Sequence, residues 1–199
     1  DSTTTTDSIV DSAYTQNGGI IIQTGYTGRV IVQRQSGVHA FIIISNGTFN
    51  GGTGSINFAG NLNINGGTFL APSTSMQVGA FIQNAGSFVS PSGTLQEYGD
   101  FKPTGGTWDH GNGTLELVNH SWDPATTTID INIASPPYGT LTVNNLTVNK
   151  TQTNGHIAMN DPYFQHPFYV LGTLQLLSGS LESLPAAAAI TSNGASMIE

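Results

Sequence analysis

Between Asn46 and Leu117 the chain writes one short pattern four times, and this repetition limits the possible folds more than any other feature. Phe49, Phe69, Phe88 and Trp108 recur at intervals of 20, 19 and 20 residues. A small-residue step precedes each ring: Gly47-Thr48, Gly67-Thr68, Gly86-Ser87 and Gly106-Thr107. Ile56, Met76, Leu95 and Leu115 keep the same intervals, and Leu62, Phe81 and Phe101 stay close to them. A period of about 20 residues turns the fold question into a question about one unit and how its copies stack.

Within a unit the alternation has a period of two. Ile56-Asn57-Phe58, Met76-Gln77-Val78 and Leu115-Glu116-Leu117 each read apolar, polar, apolar, as half-buried strands do. Gly, Pro, Ser and Asn clusters between them supply turns. So short a unit cannot bury its own apolar face, but copies stacked with strands about 4.8 Å apart can. The expectation is an all-β chain: a single-stranded parallel β-helix, or β-solenoid, with rungs of about 20 residues. Phe49, Phe69, Phe88, Trp108, Ile56, Met76, Leu95 and Leu115 form its internal stack, and Asn57, Gln77, Gln96 and Glu116 form an outward polar ladder. Glu97 breaks the pattern, falling where Phe58, Val78 and Leu117 point inward. A one-residue bulge that swings Glu97 out and brings Tyr98 in is the expected repair.

The regular block divides the chain into 1–45, 46–183 and 184–199. The first segment holds a Ser/Thr-rich leader, Ile9, Val10, and the apolar runs Ile20-Ile21-Ile22, Val30-Ile31-Val32 and Phe41-Ile42-Ile43-Ile44. Continuous β-branched runs suit strands covered on both faces. A solenoid must protect its terminal rungs, so this segment either caps its own coil or lends a strand to a neighbouring copy. Ile9, Val10, Ile20, Ile21 and Ile22 are the residues such an inter-subunit strand would use. The last segment, with Pro185-Ala186-Ala187-Ala188-Ala189-Ile190, is read as a C-terminal cap or tail.

Beyond the four regular units the period loosens. Gly93-Thr94-Leu95, Gly113-Thr114-Leu115, Gly139-Thr140-Leu141 and Gly172-Thr173-Leu174 share one tripeptide at intervals of 20, 26 and 33. Aligned on it, the chain makes two loop excursions from the coil, over 119–138 and 150–168. Residues 138–150 and 170–181, with the block 46–117, resemble repeats of secreted bacterial surface proteins. Such families are right-handed parallel β-helices of adhesins, autotransporter-like passengers and cell-surface fibres. The resemblance implies an extracellular or cell-surface location and a structural or adhesive role. Its motifs are compositional and name no reactive group.

Net charge is −8, and Arg29, Arg34, Lys102 and Lys150 are the only Lys or Arg residues. Nucleic-acid binding needs clustered cations, which this chain lacks. No apolar run is long enough to insert across a membrane, and there is no cysteine. Asp1 is neither an initiator methionine nor the start of an apolar signal segment, so a mature or trimmed chain is expected.

Polysaccharide-cleaving enzymes also use coils of this kind, through carboxylates that hold calcium beside a basic residue. Glu97, Asp100, Asp109 and Glu116 near Lys102 are the available groups, but they do not recur in adjacent columns and read as a lightly charged, solvated face. His39, His110, His120, His156 and His166 show no metal-ligand spacing, and no serine sits in a Gly-x-Ser-x-Gly elbow. No cofactor, metal or catalytic residue is therefore expected. Trp122, Tyr163, Phe164, His166 and Phe168 lie in the excursions, where contacts with a glycan or partner concentrate. Two hydroxyl columns, Thr48-Thr68-Ser87-Thr107 and Ser55-Ser75-Thr94-Thr114, are expected on different faces, which weakens an ice-binding reading. Asn-x-Ser/Thr sites at Asn46, Asn112, Asn119, Asn145 and Asn149 are no more than this composition yields by chance. The residues thus favour a non-enzymatic, self-assembling structural solenoid, with a carbohydrate-binding or carbohydrate-cleaving β-helix as the alternative.

Overall fold

The computed structural model describes the backbone of residues 8–11, 13–16, 20–22, 29–33, 41–58, 60–119, 126–130, 141–151, 156–160, 168–184, 190–192 and 196–198, and side chains over 42–58, 60–119, 141–151 and 168–180. The first strands are β1 (Ser8–Asp11), β2 (Ala13–Gln16), β3 (Ile20–Ile22), β4 (Arg29–Gln33), β5 (Phe41–Ile44) and β6 (Thr48–Asn50). The regular block holds β7 (Ser55–Phe58), β8 (Asn61–Leu70), β9 (Ser75–Val78), β10 (Phe81–Val89), β11 (Thr94–Glu97), β12 (Phe101–Pro103), β13 (Thr107–Asp109) and β14 (Thr114–Val118). Then come β15 (Thr126–Asp130), β16 (Leu141–Val143), β17 (Asn145–Asn149), β18 (His156–Asn160) and β19 (Phe168–Val170). The last are β20 (Thr173–Ser178), β21 (Ser180–Leu184), β22 (Ile190–Ser192) and β23 (Ser196–Ile198).

These strands wind as a β-solenoid of parallel strands, with about four regular turns of some 20 residues between 46 and 118. The first sheet runs β1-β4-β7-β9-β11-β14-β17-β20-β23. The second runs β2-β5-β8-β10-β12-β15-β18-β21, and β16-β19-β22 form a third. The long strands β8 and β10 bend between two directions. Their first halves pair with β5 and β12, and their second halves with β6 and β13. Register shifts between Gln83 and Ser87 mark the bend.

Glycine explains why the bend can repeat. Gly67 and Gly86 have φ of +66° and +75°, a left-handed conformation that costs residues bearing a Cβ about 1–2 kcal/mol. Gly86 is also pressed onto the turn below, where a Cβ would lie 2.6 Å from the carbonyl carbon of Gly66. The small-residue step before each aromatic ring is therefore the corner of the coil.

Register is carried by the inward columns. Phe49, Phe69 and Phe88 are in register and buried, with ring centroids 4.6 and 5.6 Å apart. Trp108 continues the stack, 5.2 Å from Phe88 and 15° from parallel. It is half-buried and packs against the core from its edge. Phe81 and Phe101 stack beside this column at 5.2 Å and meet Trp108 edge-on. Ile56, Met76, Leu95 and Leu115 are aligned and buried in the first sheet.

Two expectations are corrected. No bulge lifts Glu97 out of the sheet: it stands in register between Val78 and Leu117 and is fully buried. Its Oε1 accepts the backbone N–H of Gly99 at 2.9 Å, a corner donor that offsets part of the cost of burying the carboxyl. Tyr98 turns outward instead, its hydroxyl donating to Gln96 Oε1 at 2.7 Å.

The second correction concerns the loosened turns. Leu146, not Leu141, stands over Leu115, and Leu174 stands over Leu146. Leu141 belongs to the third sheet, opposite Phe168. The intervals along the first sheet are therefore 31 residues, from Thr114 to Asn145, and 28, from Leu146 to Leu174. Nor are the two expected excursions wholly outside the coil, since each contains a strand of the second sheet, β15 and β18, paired with each other.

Candidate functional site

The most organised surface is the outer face of the first sheet. Alternation turns Asn57, Gln77, Gln96 and Glu116 outward at one register position, with Thr147 and Gln175 continuing the row. Gln77 Nε2 donates to Gln96 Oε1 at 2.7 Å, and Gln96 Nε2 donates to Glu116 Oε2 at 2.9 Å. The ladder thus has a direction, each amide donating toward the carboxylate at its end. Gln96 Oε1 takes the Tyr98 hydroxyl as well. Partial burial, and then the negative charge of Glu116, push the Tyr98 phenol above its ordinary pKa. Ser75, Thr94 and Thr114 line the adjacent row.

The carboxylates weighed as catalytic candidates have separate settings. Glu97 is inside the coil and Glu116 ends the outer ladder. Asp100 holds Lys102 at 2.6 Å across a partly exposed pair. Asp109 Oδ1 accepts the N–H of Gly111 in the following turn, where His110 Nδ1 accepts from Asn112. Among the described residues no three His, Cys, Asp or Glu side chains gather as a metal site, and no helix is long and apolar enough to cross a membrane.

Lys150 is the group that sequence reading passed over. It is fully buried, and its Nζ donates to the carbonyl of Val118 at 2.7 Å. Its backbone N–H donates to Ser178 O, and its carbonyl accepts from Ser178 Oγ, so it ties three successive turns together. Strand parity carried the signal: Leu146, Val148 and Lys150 share the inward phase.

Among the proposed partner contacts, Phe168 is fully buried in β19 and belongs to the core rather than the surface. Trp122, Tyr163, Phe164 and His166 lie outside the described residues. Ile9 and Val10 fall in β1, which pairs with β4, and Ile20, Ile21 and Ile22 form β3, which pairs with β6 of the same chain. Trp108 Nε1 donates to Thr142 O at 2.9 Å, linking the regular turns to β16. The two hydroxyl columns lie on different sheets: Ser55, Ser75, Thr94 and Thr114 on the first, Thr48, Thr68, Ser87 and Thr107 on the second. Comparison with protein-family models, with curated proteins and with solved structures finds no match, so the parallel β-solenoid architecture is what characterises this chain.

Proposed function

We propose that this chain is a structural module of an extracellular or cell-surface protein, a stiff solenoid that joins further copies end to end. The observation carrying this reading is the continuous parallel order of the first sheet from β1 to β23, around one aromatic and aliphatic core. Such a stack resists bending because every rung is hydrogen-bonded to the next along one axis. Among the described residues, Ser8–Asp11 and Ser196–Ile198 each pair on one side, which suits parallel strand addition by a second copy. The likeness of the repeats to those of secreted bacterial surface proteins points to the same role, adhesive or fibrous.

Light scattering across a concentration series, with electron microscopy of the same samples, tests it. Rods that lengthen with concentration while keeping their width support the reading. Monodisperse monomers at high concentration, with no fibres, defeat it.

One observation favours a second reading. Gln77, Gln96, Tyr98 and Glu116 form a linked polar surface with an aromatic ring, a combination suited to sugar hydroxyls. A glycan array answers this directly: signal lost on Gln96→Ala places carbohydrate on the ladder, and signal lost only on Trp122→Ala or Tyr163→Ala places it on the connections.

A further inference from the structure

Asparagine followed by glycine is chemically vulnerable. The glycine nitrogen is unhindered and can attack the asparagine side-chain carbon when the two are held together. Four such pairs lie among the described residues: Asn46-Gly47, Asn50-Gly51, Asn65-Gly66 and Asn112-Gly113. The fold treats them differently.

In three of the pairs the nucleophile or the amide is engaged elsewhere. Gly51 N–H donates to Leu70 O at 2.8 Å, and Asn50 Oδ1 accepts from Gly52. Gly113 N–H donates to His110 O at 3.1 Å, while the Asn112 carbonyl accepts from Asn144 Nδ2. Asn65 Oδ1 accepts from Asn84 Nδ2 at 2.9 Å, and Gly66 lies inside β8, packed against the carbonyl of Ser45.

Asn46 is different. It is exposed, as are Asn65 and Asn112, but at the corner between β5 and β6 the Gly47 N–H donates within the pair, to the Oδ1 of Asn46 itself, at 2.8 Å. That bond folds the side chain back over the Gly47 nitrogen, with the electrophilic carbon about 1.2 Å from the accepting oxygen, so ring closure requires the loss of one exposed N–H···O contact and no other. Proximity of this kind is what accelerates ring closure.

We propose that Asn46-Gly47 is a site of spontaneous deamidation, favoured by the folded corner over the other three pairs. Gly47 N gives its proton to solvent base and bonds to Asn46 Cγ. The Cγ–Nδ2 bond breaks, and ammonia leaves carrying a proton from solvent. One water then opens the five-membered imide at either carbonyl, giving aspartate or isoaspartate with no change of oxidation state. Aspartate adds a carboxylate to the corner. Isoaspartate also routes the main chain through the former side chain, lengthening it by one atom. This happens beneath the hydrogen bond from Thr68 N–H to Gly47 O, 2.8 Å long, and the left-handed Gly67. The product therefore loosens one rung contact with no enzyme involved, and the inference stands whether or not the rods join end to end.

The test is a time course of the intact chain in mildly alkaline buffer, run folded and in denaturant, read by peptide mass spectrometry with isoaspartate quantified. A non-tryptic protease is needed because Lys and Arg are scarce. In the folded protein, Asn46 is expected to convert several-fold faster than Asn50, Asn65 and Asn112, and that lead is expected to vanish in denaturant. Conversion at Asn46 no faster than at the other three, or an equal lead in denaturant, overturns the proposal. Asn46→Asp, which adds the charge without the extra main-chain atom, separates the two consequences: it should unfold later than the isoaspartate-bearing fraction, and equal stability would overturn the assigned effect on the rung.

Discussion

The ring of Phe69 lies 4.6 Å from that of Phe49 and within 13° of parallel, although 20 residues separate them along the chain. Phe69 is fully buried, with Phe88 stacked on its other side and Phe58 against its edge. Phe69→Ala should destabilise the chain by about 3–5 kcal/mol through lost transfer energy and the cavity left between two rings. Trp108→Phe keeps a ring on Phe88 but removes the bond to Thr142 O, and should cost about 1 kcal/mol. Denaturation midpoints of the two variants rank them; equal losses would mean that the stack is not where stability is concentrated.

Gly86→Ala adds one methyl group to a corner that has no place for it. The left-handed φ and the approach to Gly66 together predict a loss of about 2–5 kcal/mol. Asn112, also left-handed at φ 59°, sits in an exposed turn, and Asn112→Gly should leave stability almost unchanged because glycine accepts that conformation without strain. Thermal unfolding of both variants checks the contrast.

Glu97 should tolerate Glu97→Gln far better than Glu97→Ala. The amide keeps an oxygen for the Gly99 N–H, whereas alanine leaves that donor and a cavity inside the coil, at a cost of about 2–4 kcal/mol. Urea titration of the three proteins at one pH measures the difference. A loss for Glu97→Ala smaller than that for Glu97→Gln would show that the inward placement is wrong.

Tyr98 gives a pH signature. Its folded pKa is raised, first by burial and then by Glu116, so the folded state holds the proton more tightly than the unfolded chain. The associated stability is complete below the unfolded tyrosine pKa and is lost as pH climbs through the folded one. Glu116→Gln retains an acceptor for Gln96 and removes the charge, so it should lower the tyrosinate step that a Tyr98→Phe control identifies in an ultraviolet titration. No movement of that step would show that Glu116 does not act on Tyr98.

The regular turns were legible in the sequence because their corners have constant length. Two columns spaced 20, 19 and 20 can align in only one way, and the Gly-Thr step marks the left-handed bend. Alignment failed where corner length changed. Gly139-Thr140-Leu141 copies the tripeptide of the first sheet, yet it leads into the third, and Asn145-Leu146-Thr147-Val148 takes the first-sheet place. Apolar alternation looks alike on every sheet, so composition could not say which face a displaced strand joins. Glu97 was misplaced for another reason: its inward position depends on the Gly99 N–H at the corner, and a periodic pattern does not show where backbone donors point. The outer ladder was legible as a row of residues, but not its direction, which is set by amide orientation.

That the coil passes unbroken from its regular turns into the longer ones is the claim on which the rest depends, and paired cysteines test it directly in a chain that has none. Glu116 is opposite Thr147, so Glu116→Cys with Thr147→Cys places two thiols on adjacent parallel strands about 4.8 Å apart, within disulfide reach. The tripeptide alignment would instead set Glu116 opposite Thr142. The structure predicts rapid, near-complete oxidation of the 116/147 pair and none of the 116/142 pair. A disulfide in the 116/142 protein, with the 116/147 thiols left reduced, would contradict it.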